Sequence, residues 1–272
     1  MTQPQTLHRQ INPKLRYSLR LANPDSPHWM ILVHGINRDT QGLLSWFGPQ
    51  ADLAEVNLII PIFDPIHYPD YQRLGRTGLG ARADLALLNM LSDVASFMQR
   101  RLEPFSLFGF SGGAQFAHRF TLAHGDCVGA LIMAAAGWYT PLNAQQRFPY
   151  GTAGSKRLPG LQFQPDYLLR IPTLTLIGDQ DTQIDSSVRS NPSIDAEQGH
   201  NRLQRAHWWH SHLTQLTRVH NQLGRHLIQV MPGCDHNFGN CALQGELAAK
   251  AIAFHTLTTG RYVPTTTQEA YV

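Results

Sequence analysis

Short unbroken apolar blocks recur along the chain, and between them the apolar positions fall at helical spacing or lose periodicity. Trp29–Val33 is uninterrupted and predicts a buried strand, as do residues 56–60, 105–110, 130–135, 173–177 and 226–230. Residues 16–21 alternate Tyr17 and Leu19 with polar neighbours, the pattern of an early strand, and Asn23-Pro24-Asp25-Ser26-Pro27 ends it as a turn. Between these blocks, residues 79–101 place Leu87, Leu88, Leu91, Val94, Phe97 and Met98 on one helical face. Helices are also predicted over 114–124, 202–223 and 239–257. Residues 1–15 read as a ragged polar arm and 261–272 as a polar tail.

Strands alternating with helices imply right-handed β-α-β crossovers. The fold class expected is therefore α/β, a mostly parallel central sheet with helices on both faces, formed as a single domain over residues 16–260. In such sheets ligands bind beyond the carboxyl ends of the strands. Two segments break the pattern, 137–170 and 182–200. Both follow strand ends and are expected to act as lid-like loops or pocket walls.

Composition narrows the function classes. Of 272 residues, 42% are hydrophobic and 15% charged, which supports a large core and argues against disorder. The net charge of +3 is spread without a basic block, so no nucleic-acid partner is expected. No apolar run is long enough to span a bilayer and the first residues lack an apolar signal core, so no membrane partner and a cytoplasmic location are expected. Three cysteines make no disulfide framework, although Cys234 and Cys241 could pair in an oxidising compartment. Oligomeric state is left open.

The chemistry is concentrated at strand ends. Phe108-Gly109-Phe110-Ser111-Gly112-Gly113 reads Gly-x-Ser-x-Gly between a predicted strand and a predicted helix, the setting of a nucleophile elbow. A serine hydroxyl needs a base to take its proton and a carboxylate to orient that base. His236, just after the last strand, is the expected base. Asp181, after the strand 173–177, is the expected acid, favoured over Asp179 and Asp185 because it lies where the loop can turn toward the serine. The oxyanion needs N–H donors, expected from Gly112 and, in His34-Gly35-Ile36-Asn37, from Ile36. His34 is expected to brace that loop, and Asn37 and Arg38 to reach the site or pin the loop. Phe110, Trp138 and Tyr139 are pocket-wall candidates, and Asp64, His67, Tyr68 and Asp70 rim candidates.

Other clusters are weaker. His207 and His210 sit three apart on a helix, but no carboxylate or cysteine completes a shell, so no metal is expected and the neighbouring tryptophans read as packing residues. Arg202 and Arg205 share a face and suit either a substrate carboxylate or a loop aspartate.

With these pieces in order, the chain resembles the α/β-hydrolase superfamily over nearly its whole length. Leu32-Val33-His34-Gly35-Ile36-Asn37-Arg38 and Phe108-Gly109-Phe110-Ser111-Gly112-Gly113-Ala114-Gln115-Phe116 look like a bacterial group described as esterases or polyhydroxybutyrate-depolymerase-like hydrolases. The resemblance implies the α/β-hydrolase fold and a Ser-His-Asp hydrolase of small-molecule esters that needs no cofactor. A thioesterase, serine peptidase or acyltransferase would use the same parts. A ligand-binding protein without turnover on the same fold is the rival from another class.

Overall fold

In the computed structural model, residues 3–102, 104–184 and 188–259 are described. The strands are β1 (Gln5–Asn12), β2 (Leu15–Leu21), β3 (Trp29–Val33), β4 (Asn57–Ile62), β5 (Phe105–Phe110), β6 (Val128–Ala134), β7 (Thr173–Gly178) and β8 (His226–Met231). They form one eight-stranded sheet in the order β1-β2-β4-β3-β5-β6-β7-β8. β1 and β2 pair antiparallel with each other, and β2 antiparallel with β4. From β4 across to β8 every pairing is parallel.

The helices are α1 (Thr40–Leu53), α2 (Ala83–Met98), α3 (Gly112–His124), α4 (Pro165–Arg170), α5 (Pro192–Gln198), α6 (Arg202–Val219), α7 (Phe238–Leu243) and α8 (Leu247–Thr259). Alternation along the strands decides which helices cover which face. Ile31, Val33, Leu107, Leu131 and Met133 point into a core shared with Leu87 of α2, Phe116 of α3 and Trp209 of α6. Their neighbours Met30, Leu32, Phe108, Ile132 and Ala134 point the other way, against Phe47 of α1 and Ile252 and Phe254 of α8. Because both faces are covered, the central strands lose polar alternation and appear in sequence as continuous apolar runs.

Four features differ from the sequence expectations. Residues 5–12 are an edge strand rather than a loose arm, paired through main-chain bonds although their side chains are mostly exposed. α1 carries Gly42, Gly48 and Pro49 and so lacks a clean helical signature. The closing helix is two helices. Gly245 sits where a Cβ would come within 2.7 Å of the Met231 sulfur, and Glu246 is left-handed at φ 50°, which turns the chain between α7 and α8. The irregular segments 137–170 and 182–200 contain α4 and α5, and in the first Phe148 is buried in the core and stacks on Phe163 at 4.5 Å. The tail 261–272 and Asp185 lie outside the described residues.

Candidate active site

Ser111 stands between β5 and α3 at φ 53° and ψ −111°, a conformation that is strained for any residue with a side chain. Its N–H donates to the Ala134 carbonyl at 2.8 Å, and Gln115 N donates to its carbonyl at 3.1 Å. The glycines on either side are required by contact. A Cβ on Gly109 would lie 2.5 Å from Ala114 N and closer still to the Gly113 carbonyl, and one on Gly113 would meet the carbonyls of Val33 and His34. Helix α3 therefore starts hard against β5 and β3, and the serine is held at the apex.

The loop after β8 brings His236 over the serine. Ser111 Oγ lies 3.0 Å from His236 Nε2, and His236 Nδ1 lies 2.9 Å from Asp181 Oδ2. The His236 side chain is 25% exposed whereas Asp181 is fully buried. Burying a carboxylate is costly unless it is paired. Here the second oxygen, Oδ1, accepts from Arg202 NH1 at 3.2 Å, and Leu203 N at the start of α6 donates to the Asp181 carbonyl. Phe110 stacks on the imidazole at 5.5 Å, with Phe238 edge-on behind it. Phe110, 6% exposed, backs the histidine and also lines a small cavity with Gly35, Asn37 and Phe238.

Asp179 faces elsewhere. Its Oδ1 accepts the Gly233 N–H at 2.8 Å and ties the β7 loop to the β8 loop. Cys234 and Cys241 are both buried and remain thiols, and burial pushes the Cys241 thiol up to about 12.

The loop after β3 comes up beside the serine. A Cβ on Gly112 would fall 3.4 Å from Ile36 N, so the backbones of Gly112 and Ile36 lie side by side next to the serine. Gly112 opens α3, where first-turn amides have no intrahelical acceptor and the helix dipole favours negative charge. His34 lies beneath, buried, with Nε2 accepting from Phe63 N at 3.1 Å and Nδ1–H donating to the Gly35 carbonyl at 2.8 Å. Burial lowers it to about 4, so it stays neutral in this brace. Arg38 pins the loop, donating to the carbonyls of Phe63 at 2.8 Å and Ile36 at 2.6 Å. Tyr71, which no sequence pattern marks, donates to the His34 carbonyl at 2.8 Å and sits against Gly112.

The remaining candidates separate. Tyr139 is wholly buried, stacked on Trp209 at 4.8 Å, and belongs to the core and not to a pocket wall. Trp138 is 2% exposed, with the Arg119 guanidinium 4.3 Å above its ring. Arg202 and Arg205 are both taken by aspartates, Asp181 of the β7 loop and Asp195 of α5, and Arg205 NH1 also donates to the Gly137 carbonyl at 2.6 Å. His67 pairs with Asp64 at 2.9 Å, and Tyr68 is buried. His210 Nε2 lies 3.1 Å from the His226 carbonyl, and His207 is exposed.

No protein-family model matches this chain, and no curated protein matches it. Solved structures do. Poly(aspartic acid) hydrolase-1 from Sphingomonas sp. KT-1 matches at TM-score 0.73 and 17% identity, over 92% of this chain and 98% of that one. A poly(3-hydroxybutyrate) depolymerase from Bordetella parapertussis matches at TM-score 0.71 and 22% identity, over 97% and 93%. A fluorophosphonate-binding serine hydrolase from Staphylococcus aureus matches at TM-score 0.59 and 15% identity, over 93% and 97%. At these identities the likeness is one of architecture. Parallel sheet, serine at the β5–α3 turn and whole-length structural neighbours agree: the fold of this chain is the α/β-hydrolase fold.

Proposed function

We propose that this chain is a serine hydrolase that cleaves carboxylic esters through an acyl-enzyme. Ser111 Oγ attacks the ester carbonyl while His236 Nε2 takes its proton. Asp181 holds the His236 Nδ1–H and stabilises the imidazolium. The Gly112 and Ile36 amides receive the oxyanion, and His236 then returns the proton to the departing alcohol. A water deprotonated by His236 attacks the acyl-serine, and the acid leaves as Ser111 regains its proton.

The observation that carries this reading is the unbroken hydrogen-bonded chain from Asp181 through His236 to Ser111. Two further features support it. The partial exposure of His236 lets water reach the base, which favours hydrolysis over transfer to another alcohol. Arg202 keeps the buried Asp181 oriented, leaving Oδ2 for the imidazole. The neighbours named as a poly(3-hydroxybutyrate) depolymerase and a serine hydrolase are in keeping with this reading.

The test is hydrolysis of p-nitrophenyl esters from acetate to decanoate by wild type and Ser111→Ala, with fluorophosphonate labelling of both. Turnover and labelling that are lost together in Ser111→Ala are expected. Turnover that persists in a folded Ser111→Ala protein refutes the assignment.

A further inference from the structure

The short 3-10 helix Tyr71–Arg73 reaches from the candidate site to a separate cavity. At one end Tyr71 touches Gly112. At the other, Arg73 enters the wall of a cavity of about 60 Å³ that also takes Arg76, Arg157 and Arg189, with Asp70 as its single carboxylate among the described residues. This is room for a carboxylate group in place of a few waters. Asp70 does not balance the four cations. It is already held by Arg73 NH1 at 2.9 Å and lies 3.5 Å from Arg76 Nε. Among the described residues, the side-chain acceptor of Arg189 is a neutral one, the Tyr150 hydroxyl at 2.8 Å.

A fifth cation lies behind this wall. Arg119, on α3, is fully buried. Its Nε donates to Thr140 Oγ1 at 2.9 Å, and its NH1 to the Gln72 carbonyl at 2.6 Å and to Gln115 Oε1 at 3.3 Å, all neutral acceptors. Its NH2 has no hydrogen-bond partner among the described residues. The charged and ionisable groups that act on it most strongly include Arg73, Asp70, Arg189 and Tyr150, all walls of the cavity. A guanidinium does not lose its proton, and burying one with an N–H unpaired is unfavourable unless an anion comes close. Trp138 joins the two places. It follows β6, whose Ala134 carbonyl holds the Ser111 amide, and its ring lies 4.3 Å from the Arg119 guanidinium and 5.9 Å from that of Arg189.

We propose that this arginine-lined cavity is a carboxylate-binding subsite, and that the preferred substrate is an ester carrying a free carboxylate at one end. The choice of ester rests on the serine-hydrolase reading; the binding of a carboxylate does not.

The experiment uses matched substrates. Mono-p-nitrophenyl glutarate against p-nitrophenyl pentanoate places the charge on the acyl side. The 3-hydroxybutyrate dimer against its methyl ester places it on the alcohol side. For at least one pair the charged ester is expected to have kcat/KM higher by about tenfold, and that ratio to fall about tenfold in Arg157→Gln and Arg189→Gln. Arg170→Gln, which removes an exposed arginine on α4, controls for net charge and is expected to keep the ratio. Absence of preference in both pairs, or an equal loss in Arg170→Gln, overturns the proposal. Glutarate binding to Ser111→Ala, followed by calorimetry, separates the two readings. Should no ester be cleaved, the serine-hydrolase reading fails, and the subsite is upheld by glutarate binding that Arg157→Gln weakens, or refuted by its absence.

Discussion

Replacing Gly109 by alanine tests whether the serine turn is as tight as its contacts demand. The added methyl would sit 2.5 Å from Ala114 N, and nearer to the Gly113 carbonyl, where ordinary contact begins at 3.4 Å. The first turn of α3 must therefore retreat from β5 by about 1 Å, a misplacement of the size that costs about 100-fold in rate. It cannot slide toward β3, because Gly113 already lies against the Val33 carbonyl, with the His34 carbonyl 2.6 Å from where its own Cβ would be. Overpacking of this kind costs about 1–3 kcal/mol of stability. Urea unfolding and initial rates on a p-nitrophenyl ester read both effects. Gly154→Ala is the control, since a Cβ there meets nothing within 4 Å, and it is expected to stay within about 0.5 kcal/mol of wild type. If Gly109→Ala matches Gly154→Ala in rate and stability, the steric account of the elbow is wrong.

Asp181→Asn is expected to lower kcat by roughly 10³–10⁴-fold, because an amide cannot hold the imidazole in the productive tautomer, whereas Asp179→Asn, which alters only a loop tie, is expected to change it by less than about tenfold. Arg205→Met removes a buried guanidinium that serves Asp195 and the carbonyls of Gly137, Gly199 and Arg189, and it is expected to cost about 3 kcal/mol in urea unfolding with the Ser111 site chemistry retained. Acid is expected to unfold the protein through its buried histidines. Burial lowers His34 and His255 from 6.5 to about 4. The unfolded chain therefore binds their protons first, and stability is full above pH 6.5 and falls progressively as pH drops toward 4, by on the order of 3 kcal/mol for each. Urea midpoints that do not change between pH 7 and pH 4.5 would contradict this.

The sequence is most legible where a single physical demand dominates. β3, buried on both faces, appears as the run Trp29–Val33 with the bounds it has in the fold. Ser111, Asp181 and His236, which the structure brings into one hydrogen-bonded chain, each lie just beyond a strand end, the place where a parallel sheet exposes side chains to a ligand. β1 is invisible because an edge strand held by main-chain bonds needs no apolar face. α1 is hidden by its glycines and proline. The arginine cavity is not legible at all, since Arg73 and Arg76, Arg157 and Arg189 come from three separate segments and meet only through the fold. Tyr139 shows the opposite error, for a residue that follows a strand end can still turn inward and stack in the core.

The most direct test of the central claim is pre-steady-state hydrolysis of a p-nitrophenyl ester, quenched in acid and followed by intact-mass and peptide mapping. The account predicts that the acyl group is trapped on the peptide containing Ser111, with a burst of p-nitrophenol approaching one per chain where deacylation is slow. An acyl adduct on another residue, or steady turnover with Ser111 never acylated, would contradict it.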